Sequence, residues 1–263
     1  MRYKLKKEYV KYLYVLLALV LAVACIFVFK KKDGSKETSS SQVIESTSAL
    51  FTQDEFKKYK DINEDYIGNI IFESSLINEP VVYSSTNSYY LRRDINKNKA
   101  TAGTVYMDDR NTIDDQNVIL YGHHFSNKSK KYEGYEDGKR PMFSELDNLL
   151  EEENYEENKT VYLFLESEIR EYVVVSVYEV PLTQDDDDNY VYVTDGYEYY
   201  FTSYTQDEFD TYKKTVKSKE CYDTHEDFTI DDTLLTLQTC VKNRKDLREI
   251  VLCKLVNTKS YEK

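Results

Sequence analysis

Hydrophobic residues are distributed along the chain in two contrasting ways. Residues 12–29, YLYVLLALVLAVACIFVF, contain no charge, whereas from residue 50 onwards short apolar runs alternate with polar stretches. As a helix the first run would be roughly 27 Å long, close to the thickness of the hydrocarbon core of a bilayer. Cleaved signal peptides usually have shorter apolar regions that end in small residues, whereas this run continues into Lys30, Lys31 and Lys32. The pattern therefore predicts a retained transmembrane signal-anchor.

The flanks of this run set the predicted domain limits. Residues 1–11 form a basic N-terminal segment, residues 30–49 a polar Ser/Thr-rich linker, residues 50–257 a folded domain and residues 258–263 a C-terminal tail. Five Lys or Arg residues precede the apolar run and four follow closely. Charge counting alone therefore leaves the orientation in the membrane open.

The spacing of apolar residues in the folded part predicts short strands with a few helices. Helices are expected between Leu50 and Ile62, at Met142–Leu150 and at residues 205–217, the first and last beginning with Thr-x-x-Glu capping boxes. Strict alternation of strand and helix is absent, which disfavours a doubly wound fold. The pattern indicates a β-barrel or sandwich with helical additions. Strands are expected at residues 68–72, 81–83, 103–107, 117–121, 161–165, 171–180, 234–239 and 249–256.

Charge and motif content exclude several functions. The formal net charge is -13, which disfavours a nucleic-acid-binding protein because phosphate contacts need a basic face. The HExxH, CxxC, P-loop and GxSxG motifs are all missing. No metal or cofactor is therefore expected, and the acidic run at residues 185–188 is interpreted as a solvated loop.

Cys240 is placed where a thiol could act as a nucleophile. It ends the alternating run LLTLQTC at residues 234–240, in which Gln238 shares its face, and the basic segment VKNRKD follows. Nearby cations favour the nucleophilic thiolate. A short loop would return the next strand antiparallel and carry Arg248 beside Cys240, where a fixed fork of N–H donors could stabilise a developing oxyanion.

The remaining histidines and cysteines are interpreted by position. His123 follows an apolar strand and one glycine, where an imidazole can serve as general acid or base, although a structural role is the simpler interpretation of any single histidine. His124 should point the other way, and His225, in a polar segment, should be exposed. Cys253 is expected in the core. A disulfide between Cys221 and Cys253 is arithmetically possible.

Several motifs in order along the chain resemble the class B sortases of Gram-positive bacteria. The signature TLxTC is present as residues 236–240, the arginine motif as Asp246-Leu247-Arg248, and YGH as Tyr121-Gly122-His123. Further similar segments are residues 89–91, 102–111, 142–146, 223–224 and 232–235. The resemblance spans roughly residues 50–257.

The resemblance implies a mostly β fold, an eight-stranded sortase-type β-barrel with N-terminal helices and an additional helix before the cysteine strand. It implies a single-pass cell-membrane protein with a cytoplasmic N-terminus and an extracellular catalytic domain. The implied activity cleaves the C-terminal sorting signal of secreted proteins after Thr and transfers the acyl group to an amine of a peptidoglycan precursor such as lipid II. Cys240 is then the nucleophile, His123 the general acid/base and Arg248 the oxyanion or substrate-binding residue.

The chain departs from the class B pattern in two places. Gln238 stands where many members have Ser, so Gln238 and Thr239 are expected to contact substrate and the preferred sorting motif is open. Residues 126–140 form a longer segment than is typical, either a flap or a charged surface insertion, and the insertion is preferred.

Three further functions compete with a transpeptidase that acts on the cell wall. A cell-wall Cys/His peptidase would use the same groups, but such enzymes usually order Cys before His, unlike this chain. A pilin-polymerising sortase would share the motifs and differ in its acceptor amine. A membrane-anchored binding domain without catalytic activity would not need the Cys240 thiol.

Overall fold

The computed structural model describes residues 50–261 apart from residues 87, 129, 137, 185–189, 192, 195–196 and 199–200. The predicted membrane anchor at residues 12–29, its flanking segments and the acidic run at 185–188 lie outside the described residues. Within the described part, no helix combines the length and apolarity that crossing a bilayer requires.

Eight strands close into a β-barrel, which confirms the predicted fold class. The bounds of all described strands are β1 Tyr66–Phe72, β2 Asn78–Tyr83, β3 Val105–Met107, β4 Asn117–Tyr121, β5 Thr160–Phe164, β6 Glu168–Pro181, β7 Thr183–Gln184, β8 Tyr190–Val191, β9 Val193–Thr194, β10 Tyr197–Glu198, β11 Leu234–Val241 and β12 Arg244–Ser260. The order around the barrel is β1-β2-β3-β4-β11-β12-β6-β5, and the pairs β2–β3 and β4–β11 are parallel while the others are antiparallel. The two-residue strands β7 to β10 pair into two small ribbons that are not part of the barrel sheet.

Three α-helices and three 3-10 helices accompany the barrel among the described residues. They are α1 Gln53–Ile62, α2 Tyr155–Asn158 and α3 Gln206–Lys219, with 3-10 helices at Tyr90–Arg92, Met142–Leu150 and Glu152–Asn154. Both predicted capping boxes are formed, by Thr52 with Glu55 and by Thr205 with Glu208. Helix α3 is the predicted helix before the cysteine strand.

The alternation of side chains along β11 and β12 builds two cores back to back. Leu235 and Leu237 belong to the core inside the barrel. Leu234 belongs to a second core that includes Phe209 and Tyr212 of α3. Burial on both faces explains why these strands are apolar over much of their length, and it fixes the register because a shift of one residue would exchange the faces.

The segments around the barrel differ from the sequence expectation in two places. Residues 142–150, predicted to be helical, form a 3-10 helix that is kinked at Phe143, and Met142 at its start has a positive φ of 59°. The predicted loop at 241–246 is instead a tight turn, because Asn243 adopts the left-handed conformation that asparagine tolerates and β12 begins at Arg244.

Candidate active site

The hairpin of β11 and β12 places Cys240 directly opposite Arg248. The two residues are Cα partners in the antiparallel ladder, so the predicted antiparallel return is confirmed. Both are half-buried. The register then shifts, because Val241 pairs with Arg244 and residues 245–247 bulge out of the ladder. A bulge bends a strand and re-aims its side chains, which here happens at the cysteine–arginine pair.

His123 leaves the neighbouring strand at the same edge of the barrel. Strands β4 and β11 are parallel, with Tyr121 paired to Gln238, so their carboxyl ends lie side by side. The amide of Gly122 donates to the Gln238 carbonyl at 3.1 Å, and the Thr239 hydroxyl donates to the Gly122 carbonyl at 2.8 Å. The residue before His123 is therefore tied to the two residues before Cys240, and the histidine, cysteine and arginine predicted from the sequence belong to three adjacent strands.

Gly122 also sets the position of the histidine backbone. A Cβ atom at residue 122 would lie 2.6–3.0 Å from side-chain atoms of Phe143, whose ring is fully buried. The amide of Phe143 donates to the His123 carbonyl at 3.1 Å. Only glycine leaves room for this packing, which explains the glycine between the strand and the histidine.

The imidazole of His123 is held by a backbone group that sequence reasoning missed. Its Nε2 lies 2.8 Å from the carbonyl oxygen of Leu91, and its ring packs against Phe125 with centroids 5.9 Å apart. Burial lowers the pKa of His123. The hydrogen bond to the Leu91 carbonyl opposes this lowering, and the positive charge of Arg92 adds to it. The ring is therefore biased towards its neutral form at physiological pH.

His124 points in a different direction, as predicted, into a buried ionic cluster. Its side chain is 3% exposed and its Nε2 donates to Asp147 at 3.3 Å. Arg140, with 1% of its side chain exposed, donates to Asp147 at 2.9 Å and to Glu145 at 2.9 Å. Burial raises the pKa of Asp147, but the donors His124 and Arg140 outweigh it and hold this pKa well below its usual range. The cluster fastens the chain on either side of residues 126–139, and no spacing in the sequence indicates it.

His225 and Cys253 lie where the sequence placed them. His225 has 85% of its side chain exposed and Cys253 is fully buried in the barrel core. Cys221 and Cys253 are both free thiols, so the disulfide between them is not formed.

Gln238 and Thr239, predicted to contact substrate, are 3% and 2% exposed. Thr239 is used to hold Gly122, while the side-chain oxygen of Gln238 is buried with no hydrogen-bond partner among the described residues. Their contact with substrate stays a prediction.

Residues 132–136 and 139–140 help to line a cavity of about 710 Å³ beside β2. Tyr132 packs against Phe125, and the hydroxyl of Tyr135 donates to Glu79 at 2.6 Å. The amide of Met142 donates to the same Glu79 oxygen at 2.8 Å. The segment is thus attached to β2 of the barrel through Tyr135 and to the chain after His123 through Tyr132.

The buried carboxyl of Glu79 makes the stability of the fold depend on pH. Burial raises its pKa to about 7 from the ordinary 4.5, against the opposing hydrogen bonds from Tyr135 and Met142. Between pH 4.5 and about pH 7 the unfolded chain releases this proton whereas the folded protein keeps it. The contribution of Glu79 to the free energy of unfolding is therefore fully present below pH 4.5 and is lost as the pH rises to about 7. In a Glu79→Gln variant the amide oxygen still accepts the hydrogen bonds from Tyr135 and Met142. Because an amide does not ionise, the loss of stability with rising pH should disappear. We expect the free energy of unfolding of this variant to exceed that of the wild type by up to about 3 kcal/mol at high pH.

Urea unfolding of both proteins at about pH 4.5 and pH 8 measures this difference. The exposed Glu73 provides the control, since Glu73→Gln should leave the pH dependence unchanged. Equal pH dependence in the wild type and Glu79→Gln would contradict the assignment.

The chain is similar to known proteins in both sequence and fold, although no protein-family model matches it. It is similar to Sortase B of Listeria monocytogenes, with 26% identity over 268 residues that cover 91% of this chain and 96% of the relative. It is similar to the structure of sortase B from B. anthracis in complex with AAEK2, with a TM-score of 0.59 and 30% identity over 77% of this chain and 82% of that chain. The Staphylococcus aureus sortase B–substrate complex matches with a TM-score of 0.60 and 25% identity over 82% of this chain and 90% of that chain. Because the likeness spans most of the chain in both respects, the chain belongs to the class B sortases and is a cysteine transpeptidase.

Proposed function

We propose that Cys240 is the nucleophile of this transpeptidase, His123 its general acid/base and Arg248 the group that stabilises the oxyanion. The observation that carries the proposal is the cross-strand pairing of Cys240 with Arg248 beside the strand end that bears His123. An acyl transfer needs a nucleophile, a proton carrier and an oxyanion donor around one carbonyl, and these three residue types supply them.

In the first half-reaction the Cys240 thiolate attacks the carbonyl carbon of a threonine in a C-terminal sorting signal. The carbonyl oxygen becomes an oxyanion, and the guanidinium of Arg248 donates to it. The C–N bond then breaks, and His123, which took up the proton of the Cys240 thiol when the thiolate formed, gives that proton to the leaving amine. A thioester remains on Cys240.

In the second half-reaction an amine of a peptidoglycan precursor such as lipid II attacks the thioester. Neutral His123 removes a proton from the attacking nitrogen, the C–S bond breaks and the Cys240 thiolate is restored. The solved complex of Staphylococcus aureus sortase B with a substrate supports a substrate-binding role for this barrel. Gln238 contributes to substrate recognition in this proposal, because alternation along β11 places it on the same strand face as Cys240.

We further propose that the enzyme is a single-pass membrane protein. Residues 12–29 form the anchor, residues 1–11 are cytoplasmic, residues 30–49 are a linker, and the catalytic domain, from residue 50 to the end of β12 at Ser260, is extracellular. The uncharged apolar run with lysines after it supports the anchor. The sorted proteins are then secreted proteins that reach the barrel outside the cell.

The test incubates the full chain with a library of sorting-signal peptides, with a glycine-type α-amine, a lysine ε-amine or no added amine. Mass spectrometry should detect a thioester on Cys240 and an amide product that requires the amine. The preferred amine identifies the chemical class of the acceptor, an α-amine or a side-chain amine. Free acid as the product in every reaction would indicate a peptidase, and a thioester absent from Cys240 would overturn the assignment of the nucleophile.

A further inference from the structure

The hydrogen bond between His123 and Leu91 decides which ring nitrogen can exchange protons. A carbonyl oxygen has no proton to give, so Nε2, 2.8 Å from the Leu91 oxygen, must carry the hydrogen. In the neutral ring the other nitrogen, Nδ1, is then the base. The position of the Leu91 carbonyl therefore selects the tautomer of His123.

The turn that carries this carbonyl is fixed by the residue before it. Tyr90 is fully buried, and its hydroxyl donates to Asp65 at 2.6 Å and accepts from Asn63 at 2.8 Å. Its own carbonyl accepts from the amide of Thr104 at 3.2 Å. The turn is thus tied on one side to the connection between α1 and β1 and on the other to the segment that enters β3.

Gly103 lies against this turn with no space between them. A Cβ atom at residue 103 would lie 2.8 Å from the carbonyl oxygen of Leu91 and 2.7 Å from that of Tyr90. These are backbone atoms, which cannot turn aside as a flexible side chain can. Gly103 also has a φ of +68°, which disfavours other residues. A side chain at this position therefore requires a shift of the backbone that carries the Tyr90 and Leu91 carbonyls.

We propose that Gly103 is a positioning residue for catalysis. It fixes the Leu91 carbonyl, and this carbonyl holds His123 with its proton on Nε2. The other ring nitrogen, Nδ1, is then left to exchange protons with the reacting groups. This inference rests on the proposed role of His123. In the first half-reaction the proton moves from Nδ1 to the leaving amine nitrogen, and in the second a proton of the attacking amine returns to Nδ1. The Nε2–H bond to Leu91 persists through both steps.

Gly103→Ala tests the proposal, with Gly134→Ala as a matched control. Gly134 has a similar φ of +83°, but no described atom lies within 4 Å of its Cβ position. The two substitutions therefore impose a comparable backbone cost, and only the first presses on the Leu91 carbonyl. We expect kcat of Gly103→Ala to fall roughly 10- to 100-fold with little change in KM, because a displacement near 1 Å can cost about 10²-fold. Equal kcat values for the two variants would overturn the proposal.

Nitrogen-15 NMR of the full chain tests the same point without catalysis. The chain contains three histidines, so the His123 signals can be assigned by comparison with His225→Gln and His123→Gln variants. In the wild type and Gly134→Ala, neutral His123 should carry its proton on Nε2 and exchange it slowly with water, whereas in Gly103→Ala this exchange should be faster. A proton on Nδ1 in the wild type would overturn the inference even if Gly103→Ala failed to fold. If instead His123→Gln kept full transferase activity, the proposed function would fail while the tautomer result stood.

Discussion

Replacement of Cys240 by alanine is expected to reduce kcat/KM for peptide transfer by about 10⁴-fold or more. The proposed reaction stores the acyl group as a thioester, and alanine offers no atom that can form one. The residue is half-buried near the end of β11, where loss of one sulfur atom should leave the barrel intact. Transfer of a labelled sorting-signal peptide to an amine measures the rate, and mass spectrometry follows the covalent adduct.

Cys221→Ala is the matched control for this substitution. Cys221 is an exposed free thiol just after α3, and its replacement should leave the rate within about two-fold. Activity of Cys240→Ala within about ten-fold of the wild type would show that another group is the nucleophile. Equal losses in the two variants would point to a general effect of thiol removal.

Replacement of Arg248 by lysine is expected to lower kcat by roughly 10²- to 10³-fold, the range for loss of one oxyanion donor. Lysine keeps the positive charge but lacks the planar fork of N–H donors, so the loss reports geometry rather than charge. Because the contact strengthens as the oxyanion forms, kcat should change more than KM. Single-turnover measurement of thioester formation isolates this step.

The same hairpin supplies the control. Arg244 is exposed and forms an ion pair with Asp246 at 2.8 Å, so Arg244→Lys keeps the charge of the hairpin without touching the proposed oxyanion position. Its kcat should stay within about two-fold of the wild type. Similar losses in both variants would mean that the hairpin acts through its conformation, and the oxyanion role of Arg248 would be wrong.

The parts of this site that were predictable from sequence are those that local patterns encode. Alternation along residues 234–240 identified the strand, its two faces and the short return that carries Arg248. The Thr-x-x-Glu spacing identified where α1 and α3 begin. In each case the interacting groups lie within a few residues of one another, so spacing alone is informative.

The other parts depend on contacts that no local pattern records. Alternation says which face of a strand is buried but not which strand lies beside it, so the parallel pairing of β4 with β11 had no sequence signal. The Leu91 carbonyl is a backbone group that every residue carries, and its role follows only from the packing of Gly103. The cluster of Arg140, Glu145 and Asp147 forms only once the surrounding chain has excluded water.

The place of β11 and β12 in the barrel has a consequence for how the enzyme matures. These last two strands fit between β4 and β6, and the bond from Thr239 to Gly122 spans 117 residues of chain. The barrel can therefore close, and Cys240 and Arg248 can come together with His123, only when the C-terminal strands are in place. Contacts of such long range slow folding. A chain that lacks β11 and β12 therefore holds no assembled catalytic centre.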